Sequence, residues 1–262
     1  MSLNMLAKTV YPEPEDDVFY PDTDGKPMAE SDFQRNPLIY CVEALKERFR
    51  SDPNIYVSGN LLIYYEKGNP FKSVAPDVFV IFGVSGHDRS SYKIWEEGKS
   101  PDVVIEIISE STWKKDQNNV SLYRKLGVTE YFMFDPLDRH LDPVLQGYRL
   151  DRIGRYQQIH VGKLPDDILR ADSIGLGLEL RVESGRLRLY DPELREYLLD
   201  YSEERQTRLW ERARAENERR RAETENRRAE SEKRRAENEN RRAEKAEEKI
   251  RQLRARLRAL GH

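Results

Sequence analysis

The stretch SPDVVIEIISEST, Ser100 to Thr112, decides how this chain folds. Val103, Val104, Ile105, Ile107 and Ile108 form a short β-branched run bounded by Pro101-Asp102 and Ser109-Glu110. That pattern predicts a strand buried on both faces. Glu106 interrupts it. An ionised carboxylate without a partner is costly to bury, so the sequence predicts a cation at Glu106.

Downstream, Trp113 to Leu126 reads as a helix closed by Gly127, and Glu130 to Phe134 as another apolar strand. Strand, helix and strand make a βαβ unit, right-handed and with its strands parallel. Upstream, β-like runs fall at Ile55 to Tyr65 and Pro76 to Phe82. Before them, Leu38, Val42, Leu45 and Phe49 recur at helical spacing between Asp32 and Arg50. Beyond Phe134, Gly147 to Leu150 and Tyr156 to Val161 predict an antiparallel hairpin, and Leu178 to Val182 with Leu187 to Tyr190 a second pair around Glu183-Ser184-Gly185. The expected body is α/β (α+β mixed), a mixed sheet flanked by few helices.

The 262 residues are 37% hydrophobic and 35% charged, an excess of charge concentrated at one end. Ser2 to Asp200 holds 25 Lys and Arg against 34 Asp and Glu, whereas Tyr201 to His262 holds 20 against 14. An acidic body does not suggest a strongly DNA-attracting surface, although local basic patches remain open to it. The expected domains are an irregular, proline-containing arm over residues 1–31, a body over 32–200 and a charged helical or coiled-coil tail over 201–262.

From Arg221 the tail repeats every seven residues. It offers Glu223–Arg227, Glu230–Arg234 and Glu237–Arg241 at i,i+4, and Glu225–Arg228, Glu232–Arg235 and Glu239–Arg242 at i,i+3. Such pairs, each worth about 0.2–0.5 kcal/mol, predict an exposed helix that needs no partner. Ala246, Ile250, Leu253, Leu257 and Leu260 give only the last heptads a full apolar seam, where a homodimer could form. The lone Cys41 excludes an internal disulfide and Cys-cluster zinc sites, and its helical setting predicts a packed thiol. No apolar run approaches a membrane span, so a cytoplasmic protein with no membrane association is expected.

Asp77 leads the Val78–Phe82 run much as Glu106 sits in its own. Two acids on neighbouring strands can share one divalent metal, since Mg²⁺ takes carboxylate oxygens plus water. In the alternative, Asp77 caps a strand after Pro76 and Glu106 meets an Arg or Lys. The residues alone leave both open.

Four blocks in order, APDVFVIFG, PDVVIEIISEST, Lys115-Asp116 and LYRKLGVTEYFMFDP, resemble the Uma-two family of restriction-endonuclease-like proteins in the PD-(D/E)XK nuclease superfamily. The likeness runs from about Asp32 to Tyr190. It implies a restriction-endonuclease-like mixed sheet and a metal-dependent endonuclease hydrolysing phosphodiester bonds in DNA. Asp77 and Glu106 would hold Mg²⁺ (or Mn²⁺). The sequence departs from the motif at its lysine. Ile108 stands two residues beyond Glu106, and Asn119 occupies the helix position, four residues before Tyr123, where such families often carry it. Lys115, or Lys114, is then the candidate substitute, and Lys115 is taken with Asp77 and Glu106 as the catalytic set. That lysine would position or activate the attacking water. Its displacement keeps a second reading alive: a catalytically lapsed fold serving as a binding or assembly module through its C-terminal helix.

Asp102, on the Glu106 face by period two, is a secondary ligand candidate. Glu43 reads as an exposed helix glutamate, Ser109 as a cap or a hydrogen-bonding partner of Glu106, and Asp135 as structural. The histidines at 87, 140, 160 and 262 have no ligand spacing, and no phosphate-cradling GKS or GKT loop occurs.

Overall fold

The computed structural model describes residues 18–23, 31–110 and 113–260, with the side chains of 115–117 and 257–260 outside that description. Much of the expected N-terminal arm, 1–17 and 24–30, therefore lies outside the described residues. Contacts divide the chain into two units, residues 1–201 and 202–262.

The first unit begins with α1 (Asp32–Arg48), β1 (Ile55–Ser58), β2 (Ile63–Tyr64), β3 (Ser73–Val74), β4 (Val78–Phe82) and β5 (Tyr92–Lys93). A single turn, α2 (Ile94–Glu97), leads into β6 (Val103–Ile107), α3 (Trp113–Leu126) and β7 (Glu130–Phe134). The remaining strands are β8 (Leu145–Leu150), β9 (Tyr156–Gln158), β10 (Val161–Lys163), β11 (Leu169–Ser173), β12 (Leu178–Glu183), β13 (Arg186–Asp191) and β14 (Glu196–Tyr197).

Six strands form the central sheet in the order β1-β4-β6-β7-β8-β9. Within this sheet the described pairs are antiparallel except β6 and β7, which are parallel and joined by α3, as the βαβ reading requires. A five-stranded antiparallel sheet, β10 to β14, and a small three-stranded one, β3-β2-β5, complete the mixed α/β body. Every residue of β6 is buried. Its odd positions, Val103, Ile105 and Ile107, join a core with α1 and the five-stranded sheet. Val104, and Ile108 just past the strand's end, join a second core with Tyr123 of α3 and with Ile63, Val74 and Tyr92 of the three-stranded sheet. Glu106 shares that second face. Within α1, Leu38, Cys41, Val42, Ala44 and Leu45 are buried, and burial pushes the Cys41 thiol up to about 12, as a packed thiol should behave.

Three expectations need correction. The Ile55–Tyr65 run is two strands in different sheets, β1 and β2, because Gly59 breaks it. A Cβ on Gly59 would fall 2.3 Å from the Asp77 carbonyl oxygen and 2.9 Å from Val42 Cγ2, so only glycine lets the chain pass there. Tyr156–Val161 likewise divides, β9 pairing with β8 while β10 joins the other sheet. Finally β11, unforeseen in the sequence, carries Arg170 and Asp172 between its inward residues, a weak apolar signal. Residues 18–23 are irregular yet tied down: the Tyr20 hydroxyl accepts the Gly68 N–H at 2.6 Å, and its ring packs edge-on against Tyr64 at 5.0 Å.

The second unit is the helix α4 (Tyr201–Leu260), 60 residues long and exposed throughout most of its length. Its ion pairs differ from the expected set. Arg214–Glu218 and Arg219–Glu223 pair at 3.1 Å with arginine leading, and among the described residues none of the six expected pairs closes. Glu223 has an arginine one turn away on both sides, and at full exposure the choice between them is nearly isoenergetic.

Candidate active site

Register explains how the two acids meet. In the antiparallel β4–β6 pair Val78 lies opposite Ile105, Phe79 opposite Val104 and Val80 opposite Val103. One further step sets Asp77 opposite Glu106. Directly opposed residues of antiparallel strands project from the same face with Cβ atoms about 5 Å apart.

The backbone then laces them together. The Asp77 N–H donates to Glu106 Oε2 at 2.9 Å, and the Ile107 N–H donates to Asp77 Oδ2 at 2.7 Å. From α3 the Tyr123 hydroxyl donates to Glu106 Oε1 at 2.6 Å. Asp77 is 8% exposed and Glu106 3%. Their face-mates Phe79, Ile81, Val104 and Ile108 run into the apolar core under α3, so the acids stand at the margin of a dry region. Each carboxylate oxygen has two lone pairs, so a carboxylate can accept a hydrogen bond and still ligate a cation. A pair of carboxylates with water suits Mg²⁺, which is usually held by one or two carboxylates. Among the described residues no group of three or more His, Cys, Asp or Glu side chains gathers as a metal cage.

The candidate positions for the lysine differ in burial. Ile108 is packed in the core beneath α3, so the usual motif position is an apolar contact. Lys114 is exposed, its ammonium 5.6 Å from the centre of the Trp113 ring, and is not brought to the acids. Lys115 belongs to the first turn of α3, but its side chain lies outside the described residues. Asn119 is buried, 8% exposed, one turn before Tyr123.

Other candidates are placed elsewhere. Asp102 Oδ2 accepts the Phe82 N–H at 2.7 Å and pairs with Lys99 at 2.8 Å, at the far end of β6 from Glu106. Glu43 is exposed, 3.9 Å from Lys46. The Ser109 carbonyl accepts the Trp113 N–H at 3.0 Å, starting α3. Asp135 receives the N–H groups of Leu137, Arg139, His140 and Leu141. Burial pushes its carboxyl up, yet these four donors outweigh that and hold it below the ordinary aspartate value. The His140 ring stacks on Trp113 at 5.3 Å.

The roles of two residues escaped the sequence reading. Tyr123 marked the lysine spacing in the sequence, but its bond to Glu106 follows only from α3 packing on the acid face. Glu130, at the head of β7, looked like one more apolar-strand residue, yet it is a fully buried carboxylate bound by Arg149 at 2.7 Å.

A mixed α/β fold with paired acids on adjacent central strands defines the class. The family model of Uma2, described as "Putative restriction endonuclease", matches residues 13–183, and the chain belongs to that family. Among solved structures it is similar to a "putative nuclease belonging to DUF820" from Anabaena variabilis ATCC 29413, with 17% identity and a TM-score of 0.38 over 53% of this chain and 75% of that one. No curated protein matches. Among the described residues no helix is long and apolar enough to cross a membrane.

Proposed function

We propose that this chain is a metal-dependent endonuclease that hydrolyses phosphodiester bonds in DNA. The observation that carries the reading is the interlocked Asp77–Glu106 pair, buried on one face of adjacent strands. Membership in a family described as "Putative restriction endonuclease" supports it. Asp77 and Glu106 would hold Mg²⁺ or Mn²⁺, which when bound activates water and polarises a phosphoryl oxygen. Tyr123 and the Asp77 N–H fix the Glu106 carboxylate, while the Ile107 N–H fixes that of Asp77. Such fixing matters because ligands held before binding need no reorganisation when charge develops. The apolar core behind them keeps water from the rear of the pair. Lys115, two turns before Tyr123 on α3, would position or activate the attacking water.

Cleavage of supercoiled plasmid with Mg²⁺ or Mn²⁺ tests the assignment. Asp77→Asn combined with Glu106→Gln keeps the shape of both groups and is expected to lose activity by at least about 100-fold, the scale of one lost transition-state electrostatic contact. Cleavage at the wild-type rate would refute the site.

Burial of Ile108 where the motif has lysine favours a second reading, a lapsed nuclease fold that binds without cutting. A wild type that shifts in melting temperature with Mg²⁺ and DNA but never cuts selects it. Pairing of two copies through Ile250, Leu253 and their heptad neighbours belongs to either reading. Both residues are about half exposed. Ile250→Lys with Leu253→Lys is expected to halve the sedimenting mass, and an unchanged mass would remove the tip from assembly.

A further inference from the structure

Asn119 presents a problem that the fold does not solve. It is buried on α3, yet its Nδ2 has no hydrogen-bond partner among the described residues. Buried amide groups are nearly always satisfied, and one left over calls for an explanation outside the fold. Its position supplies one. Residues four apart on a helix share a face about 6 Å apart along the axis. The residue one turn on from Asn119 is Tyr123, whose hydroxyl is bonded to Glu106. Asn119 is displaced from Tyr123 toward the start of α3, the end that follows β6. An orphaned N–H donor therefore stands one helical turn along from the group that fixes the acid pair.

The chemistry of that place narrows the ligand. Two carboxylates repel an approaching phosphodiester, so any phosphate oxygen not bound through a metal needs a donor. Arginine and lysine are the usual donors, but a carboxamide N–H serves as well where charge is already balanced. Resting on the nuclease reading above, we infer that Asn119 is a substrate-binding residue whose Nδ2–H donates to a non-bridging oxygen of the DNA phosphate held at Asp77 and Glu106. The unsatisfied donor is then a cost to the free protein that substrate removes. Function and stability pull in opposite directions at this position.

Asn119→Leu tests this, since leucine has nearly the same volume and no polar atom. The variant is expected to melt at a higher temperature than wild type, because an unmet buried donor has gone. It is also expected to bind a short DNA duplex about ten-fold more weakly in Ca²⁺ and to cleave plasmid about 100-fold more slowly in Mg²⁺. Asn119→Asp reverses the polarity: a donor role predicts a loss at least as large as that of leucine. Gain of Mg²⁺ response with aspartate would instead make the position a metal ligand and overturn the inference. So would an Asn119→Leu protein that melts lower than wild type, or one that binds and cuts like wild type. Asp77→Asn, run alongside, separates the two claims. If Asp77→Asn abolishes cleavage while Asn119→Leu does not, the nuclease reading stands and this inference falls. If no protein cuts but only wild type binds the duplex well, cleavage is refuted and Asn119 stands as a phosphate donor.

Discussion

Two glutamates lie buried at opposite ends of the parallel β6–β7 pair, and their surroundings differ. Glu130, at the start of β7, meets Arg149 at 2.7 Å, the Ser173 hydroxyl at 2.5 Å and the N–H groups of Ile174 and Gly175 at 3.0 and 3.2 Å. Those donors come from β8, from the last residue of β11 and from the turn after it, so the carboxylate ties the central sheet to the five-stranded one. Gly175 is required there, since a Cβ would fall 2.9 Å from Val103 Cγ2. Glu106, near the end of β6, faces a second acid across the strand boundary and is held by a tyrosine hydroxyl and a strand N–H. One carboxylate is fastened to the fold by an arginine. The other belongs to a pair of acids proposed to take a metal ion from solution. Burial alone does not separate a structural acid from a site acid. The neighbours do.

The sharpest way to break that contrast is to exchange the consequences. Glu130→Ala leaves Arg149 and three other donors facing an empty space, so it is expected to cost about 3 kcal/mol, the lower end for a broken buried pair because Arg149 is a third exposed. Urea unfolding measures it, and the Mg²⁺-induced melting shift should persist in whatever protein remains folded. A cost below about 0.5 kcal/mol would show that Glu130 is no tether. Tyr123→Phe removes one hydrogen bond to a charged acceptor, worth about 2 kcal/mol. It should lower stability less than Glu130→Ala and weaken the Mg²⁺ response as well, so a normal metal response would separate Tyr123 from the site.

Smaller effects sharpen the picture of the scaffold. The Asp135 carboxyl sits below its ordinary value in the folded protein, so its stabilisation is fully present above the unfolded value near 3.8 and is lost as pH falls through the lower folded one. Asp135→Asn should therefore flatten the acid side of the stability curve, and an unchanged slope in acid melts would show that the four N–H donors do not matter. In the tail, Glu223→Ala breaks the exposed pair with Arg219 and should cost no more than about 0.5 kcal/mol of helix stability by circular dichroism. A larger loss would mean that α4 relies on more than its own surface pairs.

Much of the central sheet was legible because its segments are extreme. The Trp113–Leu126 helix and the Glu130–Phe134 strand fall where periodicity and Gly127 put them. The runs around Gly59 and Ile159 were misread as single strands because apolar residues continue through a change of sheet, and period-two alternation carries no signal that pairing partners have switched. At the site, Asp77 and Glu106 stood out as acids within β-branched runs. Tyr123 and Asn119 were marked only by the family resemblance, as the two ends of the helix spacing for the lysine, since an aromatic and an amide on an amphipathic helix are ordinary until the helix is docked.

By itself the sequence determined the strand–helix–strand unit, the odd carboxylate within it and the charged helical tail, because each is written in local spacing and composition. Tertiary structure decided which acid found an arginine, which found another acid, and which helix face leaned over them. Those outcomes depend on residues 17 to 43 positions apart meeting in space. A side-chain period fixes the face that a residue shows, but only strand register and helix docking fix what it meets.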